Sequence, residues 1–304
     1  MNKLLRVASL LASLYALGAA PAFGQPTEIT IAAWNVEGVK FDDNGNPHPI
    51  FKAARLAEAI LLINPDVIAL VEVFSRTEVA EIVDILESET GRNYRYTMPN
   101  QTVPQKLAII FRDDNVRLDS RQLLPGTDAG QPDRLRKALA ARMRAGNFDF
   151  EVIAVHLKSE RTDEARETRN TQVRAINDYI VRRRTQSAER DFLVVGDYNM
   201  IPGQDSVNFT NMSPDSFLRF VSSETLSPPS HVRSCSNNAP RGNLLDGYAV
   251  SRNHTTEFVA GSLSILQMHT LLGVTCNTYK AEYADHLPLV ARFRTNQNGT
   301  DDDQ

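Results

Sequence analysis

The stretch Phe192 to Met200, with the sequence FLVVGDYNM, is the most informative part of the chain about its fold. Its first four residues form a continuous apolar run, which is typical of a strand buried on both faces. The run ends in GDYN at residues 196–199, and Pro202 then turns the chain away. At this strand end, period-2 geometry is expected to put the Asp197 and Asn199 side chains on one face. Such a pair can orient a water molecule or a phosphate oxygen, although Asp and Asn are also common in ordinary turns.

The composition and the N-terminus predict an exported globular protein. The 304 residues are 42% hydrophobic with a formal net charge of −4, so the chain can bury a large core and has no overall positive field. Residues 1–24 combine Lys3 and Arg6 with a short apolar run and small residues before Gln25, which is typical of a signal peptide. The run is too short for a stable membrane span. We therefore expect a periplasmic or secreted monomer without stable membrane insertion.

The predicted export bears on the oxidation state of the two cysteines. Cys235 and Cys276 are predicted to form a disulfide, because an exported protein meets oxidising conditions. The bond would close a loop of roughly 40 residues and would stabilise the fold by about 4 kcal/mol at most. The alternative is a pair of unrelated buried thiols.

Apolar periodicity predicts one α/β domain at residues 25–295, followed by a disordered acidic tail at 296–304. The predicted strands are 28–36, 66–73, 106–112, 138–144, 148–157, 192–195, 244–250 and 287–293, with a short strand near Val116 and an edge strand or helix start at 258–265. The predicted helices are 51–63, 78–89 and 162–184. Many strands are apolar almost throughout, which favours sheets covered on both faces. The arginines of the helix at 162–184 are expected to form a solvated face.

Polar residues recur at the ends of these apolar strands. They are Asn35, Glu72, His156, Asp197 with Asn199, and Asp285 with His286. Each is tolerable alone as a buried polar group, but strand ends of packed sheets can assemble one shared site. The oxygen donors suit Mg²⁺ or Mn²⁺ rather than zinc, with Ca²⁺ as a supporting ion, and the histidines are natural proton carriers near neutral pH.

Six motifs in this order resemble those of the endonuclease/exonuclease/phosphatase superfamily. They are WNVEG (34–38), LVEV (70–73), VHLKS (155–159), GDYN (196–199), LLDGYAV (244–250) and YADHLPL (283–289). The resemblance covers nearly the whole mature chain. It implies a deoxyribonuclease I-like fold, which is a four-layered α/β/β/α sandwich with two mixed β-sheets and an active site at one edge.

The resemblance also implies a metal site and a phosphate contact. Glu72 would be the principal metal ligand, and Asn35 and Asp285 would complete the metal environment. Glu37 lies where some members have another acidic metal neighbour, although it could also be a solvent-facing loop residue. Arg136 would be a phosphate contact.

The catalytic roles follow from the same resemblance. Asp197 and Asn199 would position the attacking water and the phosphate. His286 would contact the scissile phosphate or serve as the base, with Asp246 fixing its tautomer, unless Asp246 is only a structural strand residue. His156 would protonate the leaving oxygen or stabilise the pentacovalent phosphorane.

The shared motifs do not separate nucleic acids from phospholipids and small phosphoesters. Export argues against intracellular DNA repair, and VHLKS followed by a long Arg-containing helix looks like secreted bacterial nucleases. No hydrophobic tip for membrane insertion is visible, as a sphingomyelinase would need. We therefore predict that the protein is an exported Mg²⁺-dependent phosphodiesterase. It is expected to be a nuclease that hydrolyses nucleic-acid phosphodiester bonds by in-line attack of water. The alternatives are a phosphatase or phospholipase-type hydrolase of small phosphoesters or sphingomyelin, and a non-catalytic binding protein on the same fold.

Overall fold

A computed structural model of the protein describes residues 26–50, 52–226 and 244–295. The predicted signal peptide, Cys235 and the predicted acidic tail lie outside these residues. The strands are β1 (Glu28–Asn35), β2 (Val39–Phe41), β3 (Pro47–Pro49), β4 (Val67–Val73), β5 (Tyr94–Thr97), β6 (Lys106–Arg112), β7 (Arg117–Leu123), β8 (Leu139–Ala145), β9 (Phe148–His156), β10 (Phe192–Asp197), β11 (Leu218–Arg219), β12 (Asp246–Ser251), β13 (Ser264–Ile265) and β14 (Leu289–Arg294). The helices are α1 (Ala53–Ile63), α2 (Arg76–Thr90), α3 (Asp163–Gln186), α4 (Ser206–Met212), α5 (Val221–Thr225), α6 (Met268–Leu271) and α7 (Cys276–Glu282).

Two six-stranded sheets form the centre of the fold. The first has the order β13-β14-β1-β4-β6-β5 and the second the order β11-β12-β10-β9-β8-β7, while β2 and β3 form a separate hairpin. Each large sheet contains one parallel pair, β1 with β4 and β9 with β10, and its other pairs are antiparallel. Both sheets are therefore mixed, as predicted.

The sheets pack face to face, and helices cover their outer faces. Along β1, Ile29 and Ile31 enter the core between the sheets. Ala32 and Trp34 point the other way, into a second core with apolar residues of α1, α2 and α7. A third core joins the outer face of the second sheet to α3 and α4. These layers confirm the predicted α/β/β/α sandwich, and they explain why the strands are apolar on both faces.

Several boundaries differ from the sequence prediction for local chemical reasons. The last strand begins at Leu289 rather than at 287, because Pro288 has no N–H to donate to a sheet. Helix α2 begins at Arg76, two residues early, because the Ser75 side chain caps it by accepting a hydrogen bond from the Glu78 N–H. The predicted strand near Val116 lies at 117–123, and the predicted element at 258–265 contributes only β13.

Helix α3 is the longest helix of the described residues, but polar side chains dominate it. Among the described parts of the chain, no helix combines the length and the apolar character needed to cross a membrane.

Candidate active site

The strand directions bring the predicted site residues to one edge of the sandwich. Asn35, His156 and Asp197 are the last residues of β1, β9 and β10. Strand β12 runs antiparallel to β10, so its first residue, Asp246, lies opposite Asp197, while His156 lies opposite Asp197 on the other side. In the first sheet, β14 begins beside the end of β1, so the segment that carries His286 reaches the same edge.

Glu72 reaches the site through a β-bulge. The register of β4 against β6 shifts between Val71 and Val73. Val71 packs in the core between the sheets and Val73 in the core beneath the helices, so Glu72 is an extra residue between two correctly alternating neighbours. Its φ of 65° is left-handed, a conformation that costs a non-glycine residue about 1–3 kcal/mol and clusters at functional sites.

The carboxylates of Glu72 and Asp197 lie together with the imidazole of His156. His156 Nε2 is 3.5 Å from Glu72 Oε1 and 3.8 Å from Asp197 Oδ2. Asn35 Nδ2 donates hydrogen bonds to the same two carboxylates, at 3.0 Å and 3.2 Å. In this arrangement Asn35 holds the two acids together, and its Oδ1 instead accepts a hydrogen bond from the Glu37 N–H.

This cluster has the character of a cation site. One ligand atom from each of Glu72, His156 and Asp197 lies within 4.8 Å of the other two. Burial raises the pKa of Glu72. Burial also raises the pKa of Asp197 to about 7, with the Asp246 and Glu72 carboxylates adding to the effect and His286 opposing it. A cation bound between these acids would relieve their repulsion, and the oxygen donors match hard divalent metals, so the residues present fit a metal ion.

Asp285 and Glu37 border this cluster. The charge of Asp285 contributes to the raised pKa of both Glu72 and Glu37, although burial is the larger cause for each. Glu37 is only partly exposed and has a left-handed φ of 47°, so it is not a freely solvated loop residue. Lys52, buried beside these acids, donates from Nζ to the Tyr283 carbonyl at 2.7 Å.

His286 and Asp246 form a buried pair. Asp246 Oδ2 lies 2.8 Å from His286 Nδ1, which leaves Nε2 facing the site, 4.0 Å from Asp197 and 3.9 Å from Asp285. Burial by itself favours the neutral ring, but these three carboxylates outweigh it and raise the pKa of His286 to about 10. The ring is therefore cationic at neutral pH in the metal-free protein.

The backbone of His286 is fixed from the helix side of the sheet. The indole N–H of Trp34 donates to the His286 carbonyl at 3.0 Å, and the Tyr279 hydroxyl donates to the same oxygen at 2.7 Å. The single tryptophan of the chain therefore supports the site from behind, and neither its position nor its burial suits membrane insertion.

His156 has the opposite electrostatic environment. Burial, together with the positive charges of Arg136 and His286, lowers the pKa of His156 well below its usual value. Arg136 is buried beneath it and donates to the His156 carbonyl at 3.4 Å and to Gln105 Oε1 at 2.9 Å. The site thus holds one neutral and one cationic imidazole, which is the separation of pKa values expected of groups with different catalytic roles.

Asn199 reaches the site by a turn. Strand β10 ends at Asp197, and Asn199 has a left-handed φ of 50°, so the prediction that period-2 geometry aligns the two side chains is wrong. Instead Asp197 Oδ1 accepts a hydrogen bond from the Asn199 N–H at 2.8 Å, and Asn199 Nδ2 donates to the Leu157 carbonyl at 3.1 Å. The amide bridges the ends of β9 and β10.

Arg169 is a supporting residue that the sequence analysis missed. Its side chain is fully buried, so the expected solvated face is wrong at this position. Its Nη1 donates to the carbonyls of Lys158 and Glu160 at 2.8 Å and 3.0 Å, and its Nη2 donates to Asp205 at 3.1 Å. Asp205 in turn accepts from the Ile201 N–H at 2.7 Å, so the pair ties together the loops that follow β9 and β10.

The sequence did contain a signal for this residue. Arg169 lies four residues after Ala165 and four before Val173, which are both buried. It therefore occupies the apolar stripe of α3, where a charged residue needs a buried partner.

The fold and the site define a class of protein: a deoxyribonuclease I-like sandwich with carboxylates and two histidines at the strand ends. The sequence matches the Endonuclease/Exonuclease/phosphatase family over residues 32–258, and the chain belongs to that family. This confirms the resemblance seen in the six motifs.

Solved structures show the same fold at low sequence identity. Humanized TDP2 from D. rerio superposes with a TM-score of 0.64 and 18% identity, covering 89% of this chain and 100% of that chain. A family member from Bacteroides thetaiotaomicron gives a TM-score of 0.62 at 12% identity, covering 88% and 98%. The 3′ phosphatase NExo from Neisseria, bound to a product DNA hairpin, gives 0.60 at 16% identity, covering 87% and 99%. A search of curated protein sequences finds no match.

Proposed function

We propose that this protein is an exported, divalent-metal-dependent phosphodiesterase that hydrolyses nucleic-acid phosphodiester bonds by in-line attack of water. The observation that carries the proposal is the convergence of Glu72, Asp197, His156 and the His286–Asp246 pair at one edge of the sandwich. A binding module would not need buried carboxylates and two imidazoles with opposed pKa shifts around one small space. Family membership supports the same class of reaction.

Glu72 and Asp197 would hold the metal ion, with Asp285 and the Asn35 amide supporting them. Mg²⁺ is the ion we favour, with Mn²⁺ as the substitute, because the donors are oxygens and no cysteine lies among them. The bound ion would neutralise phosphate charge that the acidic cluster otherwise repels.

The other side chains supply proton transfer and orientation. Asp197 is suited to orient the attacking water, because the Asn199 N–H donates to its Oδ1 at 2.8 Å and fixes the carboxylate. The contact of Asp246 with Nδ1 favours the protonated ring of His286, which supports the phosphate-contact role over the role of base. The neutral state of His156 favours orientation of the phosphorane over donation of a proton to the leaving oxygen.

Nucleic acid is the substrate class we favour. D. rerio TDP2 has been solved with a single-strand DNA product, and NExo with a product DNA hairpin, and both share this fold over most of the chain. The guanidinium of Arg136 lies at the same edge, where it can neutralise part of a phosphate charge.

The test is hydrolysis of DNA, RNA, sphingomyelin and inositol phosphates with Mg²⁺, with Mn²⁺ and in excess EDTA. We expect nucleic acid to be cleaved only with metal. Glu72→Gln preserves the shape of the ligand but removes its charge, so activity should fall by about a hundredfold or more. Glu81→Gln, an exposed glutamate on α2, is the matched control and should behave as wild type. Wild-type turnover in EDTA would exclude the metal assignment, and hydrolysis of sphingomyelin alone would exclude the nuclease.

Export is tested separately. Residues 1–24 have the pattern of a signal peptide, so the mature protein should begin at Gln25 in the periplasm or medium. N-terminal sequencing of the protein from fractionated cells decides this. An uncleaved cytoplasmic product would contradict it.

A further inference from the structure

We propose that a cavity beside the active site binds one unpaired nucleobase adjacent to the scissile phosphate; this inference rests on the proposed function. The cavity has a volume of about 430 Å³, within the range of roughly 300–1,000 Å³ usual for small-ligand sites. Its walls come from the β2–β3 hairpin, from residues 103–105 and from residues 133–136. The residues that line it include Phe41, Pro47, Val103, Pro104, Arg134 and Arg136.

Arg136 joins this cavity to the catalytic centre. Its side chain lines the cavity and also donates to the His156 carbonyl, and its other nitrogen donates to Gln105, a second lining residue. The guanidinium stands between the two spaces. A phosphate held at the centre would therefore have the next group of its substrate at the mouth of the cavity.

The hairpin that forms the opposite wall is attached to Glu72. Gly38, immediately before β2, donates its N–H to the Glu72 carbonyl at 3.0 Å. A Cβ at position 38 would lie 2.5 Å from that oxygen, so only glycine allows the approach. Ile50, after β3, donates its N–H to the Gly38 carbonyl at 2.9 Å, which closes the base of the hairpin. The hairpin wall is thus fixed relative to the acidic cluster.

The lining favours a flat aromatic ligand with polar edges. The side chain of Phe41 lines the cavity and is 48% exposed, so it presents a large apolar surface to solvent there. Pro47, Val103 and Pro104 supply further apolar wall, while Arg134 and Asp133 are exposed at the rim. A nucleobase has an apolar face for the phenyl ring and hydrogen-bonding edges for the rim. It must be unstacked to reach the ring, so we assign the cavity to single-stranded substrate.

The first experiment measures base binding without metal or turnover. The amide of Gly45, in the hairpin turn that lines the cavity, is followed by NMR during titration with deoxyadenosine, and deoxyribose is the control ligand. Deoxyadenosine should give saturable shifts and deoxyribose none. Phe41→Ala should weaken binding about tenfold or more, within the range expected for loss of one base–aromatic stack, and Phe41→Trp should retain it. Leu62→Ala, at a site of equal exposure (49%) on α1, should bind as wild type.

The second experiment places the base relative to the phosphate. The dinucleotide TpT has one cleavable bond, so it is compared with its two abasic versions, each lacking one of the two bases. Phe41→Ala should lower kcat/KM for TpT about tenfold and leave one abasic version unaffected. If the wild type cleaves no substrate, the proposed function fails while the deoxyadenosine titration still decides the cavity. Unsaturable shifts, or equal losses for all three dinucleotides, would overturn the base site alone.

Discussion

The pairing of His286 with Asp246 gives the sharpest prediction for the catalytic centre. The two side chains are buried, with 2.8 Å between Asp246 Oδ2 and His286 Nδ1. A pKa of about 10 in place of 6.5 corresponds to about 5 kcal/mol of preference for the protonated ring, at about 1.4 kcal/mol per pH unit. Asp246→Asn removes the largest favourable contribution to this preference but leaves the ring buried.

The pKa of His286 should therefore fall in Asp246→Asn, by about 1–3 units, the effect of one opposite charge at close range. The pKa should still be higher than that of a buried histidine with no carboxylate nearby, because Asp197 and Asp285 remain about 4 Å from Nε2. Proton NMR of the ring in metal-free protein, titrated from pH 5 upward, measures this directly. Asp84→Asn, an exposed site on α2, is the control.

The same pair should be coupled in catalysis and in stability. His286→Ala and Asp246→Asn should each lower kcat/KM by about a hundredfold or more, and the double variant should be little worse than His286→Ala, because Asp246 acts through the ring. Because the folded-state pKa lies above the ordinary value, the stability from the pair is complete below about pH 6.5 and is lost as the pH rises through about 10. Losses that multiply, or a wild-type ring that titrates near 6.5, would refute the pairing.

Three further predictions concern the support of the site. Arg169→Met should lower the free energy of unfolding by about 1–3 kcal/mol in urea titrations, because the Lys158 and Glu160 carbonyls and Asp205 lose a buried donor, and Arg174→Met, an exposed site on the same helix, should leave it unchanged. Gly38→Ala should lower kcat, because the added Cβ would displace the Glu72 carbonyl and with it the Glu72 side chain; unaltered kcat would show that the hairpin approach is dispensable. Cys235 and Cys276 should give no free thiol by titration in native exported protein, and two titratable thiols would exclude the predicted disulfide.

Much of the architecture could be predicted, because a strand that is buried on both faces is apolar at nearly every position of its sequence. Strands β4, β6, β9 and β10 are apolar almost throughout, and the structure places them centrally in their sheets. Polar residues at the ends of such runs stand out, and Asn35, His156 and Asp197 do lie together. The parallel pairs β1–β4 and β9–β10 place the carboxyl ends of their strands side by side, so the polar residues that end these strands lie at one edge of each sheet.

The rest depended on contacts between residues far apart in sequence. No local pattern shows that Glu72 lies in a bulge, because the shift exists only relative to β6. The β2–β3 hairpin is three residues on each side with an exposed phenylalanine, so it lacks the alternation that identifies a strand. The burial of Arg169 depends on a carboxylate 36 positions away at Asp205.

The bulge at Glu72 also separates the chemistry from the scaffold. Since Val71 and Val73 already face their proper cores, losing the single codon for Glu72 would leave a strand with regular alternation and both apolar layers in register. Under the proposed function, one in-frame deletion would therefore abolish activity while both apolar layers of β4 kept their register, and it would also remove a strained backbone conformation.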